Sequence, residues 1–224
     1  MICRIRQLGR VPYTEAMTLQ AKLVARRKAG ETPDTLLLVE HPHVYTLGRN
    51  ARRPQLRADR DKLQGLGAEV HETDRGGDIT YHGPGQLVGY PILDLKQHRR
   101  DAGWYMETLE EVLIRTVKDF GITAHPRDGM RGVWVGEEKL GSLGVHLSRW
   151  VTSHGFALNV NTDLTYFDHI IPCGLEGVRM TSLEKLTGGS ICLENIQERM
   201  INHFAKLFSL EVRLETLFAA QECI

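Results

Sequence analysis

The chain has 224 residues, of which 42% are hydrophobic and 25% are charged. These are ordinary proportions for a globular protein, and the length suits a single domain, residues 1–224, that can bury a core without disulfides. The 28 Lys and Arg residues balance the 28 Asp and Glu residues. No overall positive field therefore attracts nucleic acid or an anionic membrane surface, which excludes the polybasic classes of binding protein.

Cysteine usage and the N-terminal sequence indicate the compartment. The four cysteines, Cys3, Cys173, Cys192 and Cys223, lie far apart, without the close pairing of a zinc site or the density of a disulfide scaffold. The start, MICRIRQLGRVPYTEAMTLQ, lacks the apolar run of a signal peptide, and no stretch approaches the ~20 apolar residues that cross a bilayer. We expect a cytoplasmic monomer that binds neither nucleic acid nor a membrane.

The first half of the chain predicts two helices and two strands. Residues 12–29 form the first helix, because apolar side chains recur at three- and four-residue spacing and Gly30 can end it. Residues 36–39 and 44–47 are short runs of strand formers, which we interpret as neighbouring strands joined by a turn. A second helix is expected over residues 54–64.

The second half begins with the clearest helix of the sequence. Residues 104–120 carry an apolar stripe at helical spacing and end at a glycine. Three strand-like stretches follow, at 132–135, 140–147 and 151–160, and a tight turn joins the first two. Lys139 therefore stands where a hairpin strand begins.

Near the C-terminus, residues 181–184 read TSLE and predict a capping box that opens a short helix. A longer amphipathic helix is expected over 193–207, and the last dozen residues can add a strand. Helices alternate with clustered strands, and no linker or internal repeat interrupts them. The sequence therefore predicts one α/β (α+β) domain in which helices flank a sheet.

A glycine-rich loop is the first candidate for function. Residues 74–86 read DRGGDITYHGPGQ and contain four glycines. Such a density is costly unless the backbone must approach something closely, so bare N–H groups and Arg75 can face a substrate carbonyl or phosphate. The alternative is a structural turn with a hydrogen-bonded arginine. The spacing matches neither a P-loop nor a Rossmann fingerprint.

Cys173 is the candidate nucleophile, within IIPCGLEG. A lone cysteine is usually a small buried hydrophobic residue, but Pro172 and Gly174 place this thiol in a loop where it can face a cleft. A free thiol has a pKa of about 8.5, so a reactive thiolate at pH 7 needs a neighbouring base or cation. Lys139 and His82 are the candidates for that neighbour, and their separation in sequence leaves the contact open.

One pair of neighbouring histidines is a candidate for metal binding. His41 and His43 could bind a metal from one strand, but no third ligand stands at a recognisable spacing. We therefore expect no metal site.

Four blocks, RGGDITYHGPGQLVGYPILDL, KLGSLG, WVTSHGFALNV and IIPCGLEG, occur in this order. They resemble the signature blocks of the lipoyl(octanoyl) transferase family, the octanoyl-[acyl carrier protein]:protein N-octanoyltransferases. The resemblance extends from Leu8 to Leu210. It implies a mixed β-sheet flanked by helices, similar to the catalytic domain of biotin protein ligases and lipoate ligases, with the acyl group in a tunnel beside the glycine-rich loop.

The resemblance also implies the roles of individual residues. Cys173 becomes acylated, and Lys139 lowers the pKa of its thiol and transfers protons. Gly141 departs from the family, which more often has alanine there. The implied substrate-binding residues are Arg75, Gly76, Gly77, Asp78, Ile79, Thr80, Tyr81, His82, Ser142, Leu143, Gly144, Gly155, Phe156 and Ala157.

The implied reaction moves an octanoyl group from octanoyl-acyl carrier protein to a specific lysine of a lipoyl-accepting domain, through an acyl-cysteine thioester. This is the first step of endogenous protein lipoylation. The implied acceptors are the lipoyl domains of 2-oxoacid dehydrogenase E2 subunits and the glycine cleavage H protein. No cofactor is expected beyond the phosphopantetheine that acyl carrier protein bears. The acidic carrier protein itself could dock on basic clusters such as Arg52 and Arg53.

Three alternatives stay open. The first is an ATP-dependent lipoate or biotin-type protein ligase, although adenylate chemistry does not need Cys173. The second is a non-catalytic protein that binds lipoyl domains or acyl carrier protein. The third is a transferase that moves octanoyl between two lipoyl-accepting proteins.

Overall fold

The chain folds around a mixed β-sheet. The computed structural model describes residues 1–51, 56–58, 60–171 and 177–215. In this part of the chain the sheet has eight strands: β1 (Ile2–Arg10), β2 (Asp34–Glu40), β6 (Gln86–Ile92), β7 (Val133–Val135), β8 (Glu138–Ser148), β9 (Val151–Asn159), β10 (Arg179–Met180) and β11 (Glu211–Leu214). Their order is β10-β8-β9-β6-β2-β1-β11, and β7 pairs with β8. The pairs β1–β2, β1–β11 and β8–β10 are parallel, and the others are antiparallel.

A second, smaller sheet lies beside the first. It consists of β3 (Val44–Leu47), β4 (Glu69–Glu72) and β5 (Ile79–His82), with β3 in the centre. The helices are α1 (Tyr13–Lys28), α2 (Arg60–Gly65), α3 (Ala102–Lys118), α4 (Leu183–Thr187) and α5 (Leu193–Leu207). None of the helices in the described ranges is long and apolar enough to cross a membrane.

Helices α3 and α5 pack against one face of the main sheet because each has one apolar side. Asp101 begins α3, where its side chain accepts a hydrogen bond from the backbone N–H of Trp104 at 3.0 Å. The α3 residues Leu109 and Leu113 are fully buried in the largest core cluster, together with Phe204 of α5. Burial of each such side chain stabilises the fold by roughly 1.5–3 kcal/mol.

Two further clusters complete the core. Helix α1 covers the opposite face of the main sheet through Ala16 and Leu23. The small sheet has an apolar cluster of its own, which includes Tyr45, Leu63 and Tyr81. Because each sheet packs its own core, strand β5 forms a separate wall beside the main sheet.

The structure confirms most of the predicted elements. Helices over 12–29, 104–120 and 193–207 are present with small changes of their ends, as are the strands predicted over 132–135, 140–147 and 151–160. Strand β11 (Glu211–Leu214) begins before the last dozen residues, and most of that dozen, residues 216–224, lies outside the described residues. Of the helix predicted over 54–64, only the part from residue 60 onward is helical, as α2, and residues 56–58 are not. Residues 52–55 and 59, with Arg52 and Arg53, lie outside the described residues.

The predicted neighbours at 36–39 and 44–47 are not paired, so that prediction is wrong. Strand β2 lies between β1 and β6 in the main sheet, whereas β3 lies between β4 and β5 in the small sheet. One neighbour of β2 is β1, a strand that the sequence analysis did not predict. In β1 only Cys3 and Ile5 are buried, alternating with arginines, so its apolar signal is short.

The predicted capping box at 181–184 is also wrong in detail. Helix α4 starts one residue later, and the side chain of Ser182 accepts a hydrogen bond from the backbone N–H of Lys185 at 3.2 Å. Thr181 instead donates its backbone N–H to the carbonyl of Lys139, which ties it to β8. This tertiary bond moves the cap by one position.

A buried histidine joins α1 to the main sheet. His41 Nδ1 lies 2.8 Å from the carbonyl oxygen of Val11, so it carries the hydrogen, and Nε2 accepts a hydrogen bond from the Tyr90 hydroxyl at 2.8 Å. Both ring nitrogens are therefore used within the protein. No group of three or more potential metal-ligating side chains occurs in the described ranges.

Replacing Gly141 with alanine is expected to stabilise the protein by about 0.4–1 kcal/mol, because alanine lowers the entropy of the unfolded chain. A Cβ there would lie 3.3 Å from the flexible Leu113 Cδ1 and 3.4 Å from the Ala157 carbonyl oxygen. Urea denaturation measures the change. Gly132→Ala is the matched control and should destabilise, because Gly132 has φ +139° and its Cβ would lie 2.5 Å from Lys139 Cε. A large loss in Gly141→Ala would contradict the packing described.

Stability is expected to fall in mild acid because of His41. Burial lowers the pKa of His41 from 6.5 to about 4, so between these values the unfolded chain takes up a proton that the folded protein does not. The free energy of unfolding then decreases by about 1.4 kcal/mol per pH unit from this group. Urea titrations from pH 7.5 to 5 should show a shallower decline in His41→Gln, which cannot titrate. Parallel curves for the two proteins would refute this.

Candidate active site

A cavity of about 350 Å³ opens between the two sheets. Its volume lies within the roughly 300–1,000 Å³ of small-molecule sites. The small sheet contributes β5 and the loop before it, and the main sheet contributes β6, β8 and β9. The residues predicted from sequence that line it are Arg75, Gly77, Asp78, Ile79, Thr80, His82, Lys139, Ser142, Leu143, Gly144, Gly155, Phe156 and Ala157.

Strand register brings the predicted segments together. In the antiparallel β8–β9 pair, Ser142 lies opposite Ala157 and Gly144 lies opposite Gly155, so residues 142–144 and 155–157 form one patch. The glycine-rich loop joins this patch where the backbone N–H of Gly76 donates to the Val145 carbonyl at 2.9 Å. Three segments that are distant in sequence thus form one wall.

Two predicted residues do not line the cavity. Gly76 holds the loop to β8 by its backbone. Tyr81 is fully buried on the other side of β5, where its hydroxyl lies 2.7 Å from His43 Nδ1 and its ring stacks on Tyr166. Successive side chains of a strand point to opposite faces, so Thr80 and His82 face the cavity and Tyr81 faces the core of the small sheet.

Arg75 fixes a positive charge in the cavity wall. Its Nε donates to the Thr46 hydroxyl at 3.2 Å, and its Nη1 donates to the Gly76 carbonyl at 3.0 Å. The side chain also runs against Gly144, where a Cβ would lie 3.2 Å from Arg75 Cδ. The guanidinium stays charged at all working pH values, so it is suited to an oxygen of the ligand.

Lys139 is buried at the start of β8, with 2% of its surface exposed. Its Nζ donates to the carbonyl of Arg131 at 2.9 Å and lies 5.4 Å from the centre of the Trp134 ring. Gly132 makes room for the lysine stem because it has no Cβ. The amine is therefore held in one place, with little water around it.

The segment that carries Cys173 lies outside the described residues, which stop at 171 and resume at 177. The chain that follows this segment pairs with β8, the strand that carries the lysine. Met180 of β10 lies beside Lys139 in parallel register, and the Thr181 backbone N–H donates to the Lys139 carbonyl at 3.0 Å.

Several lining residues were missed by the sequence reading. Val88, Tyr90 and His154 lie within the quoted blocks, and the pattern gave no reason to separate them from core residues. The others come from segments that carry no motif, so only the tertiary structure identifies them: Tyr13, Asn50, Gly129, Met130 and Arg131.

His154 and Asp74 form a polar pair at the edge of the cavity. His154 Nε2 lies 2.7 Å from Asp74 Oδ1, and His154 has φ +55° within β9. Burial lowers the pKa of His154 despite the carboxylate beside it. Burial alone would raise the pKa of Asp74, but the hydrogen bond and charge of His154, the charge of His146 and a backbone hydrogen bond together lower it. A neutral imidazole therefore donates to a charged carboxylate and ties the glycine-rich loop to β9.

Three solved structures with the same fold are described as ligases. Lipoate-protein ligase A bound with ATP superposes with a TM-score of 0.79 at 17% identity, over 98% of this chain and 90% of that chain. A bi-partite lipoate protein ligase from Thermoplasma acidophilum, described with its E2 lipoyl domain, gives 0.76 at 17% identity, over 98% and 88%. Biotin protein ligase from Aquifex aeolicus gives 0.55 at 15% identity, over 93% and 70%. The predicted fold class is confirmed.

Curated relatives found by sequence have a much higher identity to this chain than the three solved structures have. The octanoyltransferase of Solibacter usitatus is 53% identical over 94% of this chain and 94% of its own length. That of Rubrobacter xylanophilus is 50% identical over 91% and 92%. The family model for the lipoyl protein ligase A/B catalytic domain matches residues 12–205. The chain therefore belongs to the lipoyl protein ligase A/B catalytic-domain family and, within it, to the octanoyltransferases, which are acyltransferases.

Proposed function

We propose that the chain takes an octanoyl group from octanoyl-acyl carrier protein onto Cys173 and passes it to a lysine of a lipoyl-accepting domain. The observation that carries this proposal is the buried amine of Lys139 in the wall of a cavity that also has apolar walls. The close relatives named octanoyltransferase support the acyl group and the class of reaction.

The cavity lining suits a molecule with one apolar and one polar end. Val88, Leu143 and Phe156 supply apolar surface for an alkyl chain. Arg75 and Lys139 supply positive or hydrogen-bonding groups for a carbonyl oxygen. An acyl thioester has this distribution, since its chain is hydrophobic and its reacting carbon carries an oxygen that becomes negative during attack.

In the first step the Cys173 thiolate attacks the thioester carbonyl of the donor. A new C–S bond forms, the old C–S bond breaks, and the departing phosphopantetheine sulfur takes the proton that the Cys173 thiol gave to Lys139. One thioester replaces another, so the step costs little free energy. A Lys139 ammonium group beside this thiolate would stabilise it, because opposite charges attract far more strongly in a site of low dielectric than in water.

In the second step the ε-amine of the acceptor lysine attacks the acyl-cysteine. A C–N bond forms, the C–S bond to Cys173 breaks, and one amine proton moves to the departing sulfur by way of Lys139. The amide is more stable than the thioester and drives the cycle. Each step exchanges one acyl bond for another, so the reaction needs no cofactor beyond the phosphopantetheine that the donor carries.

The proposed acceptors are lipoyl domains of 2-oxoacid dehydrogenase E2 subunits and the glycine cleavage H protein. An E2 lipoyl domain accompanies the Thermoplasma ligase of the same fold, which supports this class of partner. The enzyme is proposed to act as a cytoplasmic monomer, with acyl carrier protein as the donor.

Cys173 is expected to carry the acyl group. After incubation with octanoyl-acyl carrier protein without ATP, intact mass spectrometry should show one octanoyl adduct that hydroxylamine removes, and peptide mapping should place it on Cys173. Cys173→Ser should lack this adduct. Cys192→Ser is the matched control and should keep it, because Cys192 is an exposed thiol paired with Glu194.

A fully active Cys173→Ala enzyme would refute the thioester intermediate. If transfer instead requires ATP and free octanoate, and the carrier thioester is inert, the protein is a ligase like its structural neighbours.

Lys139 is expected to activate the Cys173 thiol. Lys139→Met should lower kcat/KM by at least about 100-fold, and the pH midpoint for alkylation of Cys173 by iodoacetamide should rise toward the value of about 8.5 for a free thiol. The other three cysteines are replaced by serine in this measurement. The control is Lys185→Met, a half-exposed lysine paired with Glu138, which should change neither quantity. An unchanged alkylation midpoint in Lys139→Met would contradict the pairing.

A further inference from the structure

His82 is held by a chain of buried side-chain amides. Its Nδ1 lies 2.7 Å from Gln86 Oε1. Gln86 Nε2 donates to the Tyr81 carbonyl at 3.2 Å and to Asn159 Oδ1 at 2.9 Å. Asn159 Nδ2 donates to the Thr181 carbonyl at 3.0 Å. Each of these polar side chains is at least nine-tenths buried.

This chain of hydrogen bonds determines which nitrogen of His82 carries the hydrogen. A backbone carbonyl only accepts, so the carbonyl of Thr181 fixes the nitrogen of Asn159, and the carbonyl of Tyr81 fixes the nitrogen of Gln86. The oxygen of Gln86 must then face His82. His82 therefore donates from Nδ1, and its Nε2 has a free lone pair.

The free lone pair faces the cavity. His82 lines the cavity, and Nε2 has no hydrogen-bond partner among the residues that the structure describes, nor is it one of their fully enclosed unpaired atoms. Burial, together with the nearby His41, Arg75 and His154, lowers the pKa of His82 to about 3. The ring is therefore neutral at working pH, and Nε2 acts as an acceptor.

Of the groups that the thioester donor and the lysine acceptor bring to the reacting carbon, the incoming amine suits this hydrogen-bond acceptor. The carbonyl oxygen and sulfur of the octanoyl thioester only accept hydrogen bonds. The ε-amine of the incoming lysine carries N–H groups, and after losing one proton it keeps another as the amide N–H. A neutral imidazole can hold that hydrogen throughout the step without becoming protonated.

We propose that His82 Nε2 accepts a hydrogen bond from the attacking lysine amine and orients it, and that Gln86 and Asn159 are positioning residues that hold the His82 tautomer. The proposal rests on the proposed function. The same chain of bonds reaches the other reacting group, because the Thr181 backbone N–H donates to the carbonyl of Lys139. His82 and Lys139 are thus held in a fixed relation across the cavity.

The test separates the two half-reactions. Intact mass spectrometry follows acylation by octanoyl-acyl carrier protein, and the isolated acyl-enzyme is then mixed with a lipoyl domain. In His82→Asn the amide nitrogen can still donate to Gln86, but no atom stands at Nε2. The ratio of the transfer rate to the acylation rate should fall about 10–100-fold, as expected for a hydrogen bond to a group that becomes charged.

His82→Gln places an acceptor oxygen near the position of Nε2 and should recover part of that ratio. His203→Asn is the control, because His203 lies on α5 and pairs with Asp119, and it should change neither rate. An equal loss in both half-reactions, or no recovery in His82→Gln, overturns the proposal. Failure of the wild-type enzyme to form the acyl-cysteine would instead overturn the proposed function.

Long-range ¹⁵N NMR of the wild-type histidines tests the His82 tautomer directly, and because it needs no substitution it does not depend on the folding of a variant. The expected signals are a protonated Nδ1 and a bare Nε2 for His82 at pH 7. Gln86→Met should introduce the Nε2–H tautomer and slow transfer more than acylation, whereas a merely structural Gln86 would leave the tautomer unchanged. An Nε2–H tautomer or an imidazolium in the wild type overturns the proposal.

Discussion

The buried position of Lys139 is the constraint on which the site depends. An amine with 2% of its surface exposed has lost most of its hydration, which is costly unless the protein supplies partners. The carbonyl of Arg131 and the ring of Trp134 are two such partners. Glu110 of α3 in turn accepts hydrogen bonds from the Gly132 backbone N–H at 2.9 Å and from the Arg131 side chain at 3.0 Å. Helix α3 therefore fixes residues 131–132, and the carbonyl of Arg131 in turn fixes the lysine.

The same logic explains the rest of the cavity wall. Buried polar groups are fixed when each has a hydrogen-bond partner, and here Arg75 is held by Thr46 and His82 by Gln86. The apolar side chains between them leave space for a chain of methylene groups. The wall thus combines rigid polar positions with a hydrophobic interior, which is what orientation of a long acyl group requires.

The sequence predicts the parts of this architecture that depend on local pattern. The helices are visible because apolar residues repeat at helical spacing over many residues, and the β7–β8 hairpin is visible because its turn is short. Pairing between distant segments is not visible, so the small sheet and the place of β1 were missed. The capping residue of α4 was misassigned because a bond to the Lys139 carbonyl, far away in sequence, engages Thr181.

In the site, too, the local pattern is visible in the sequence and the pairing of distant segments is not. The motifs identify segments, and the strand register decides which of their side chains face the cavity: Thr80 and His82 do, and Tyr81 does not. Gln86 and Asn159 stand in quoted blocks, yet their role depends on being cross-strand partners in β6 and β9. A pattern along one segment cannot contain that information.

The proposed acyl-enzyme must react with an amine and resist water, and the weak basicity of His82 bears on both reactions. Water attacks a thioester only slowly unless a base removes its proton, and a base with a pKa of about 3 is poorly matched to that task near pH 7. A neutral amine is already a good nucleophile, so it needs orientation more than deprotonation. A hydrogen-bond acceptor that stays unprotonated can supply orientation to the amine without activating water. In the proposed mechanism, burial of the imidazole, which makes it a poor general base, therefore favours transfer to lysine over hydrolysis.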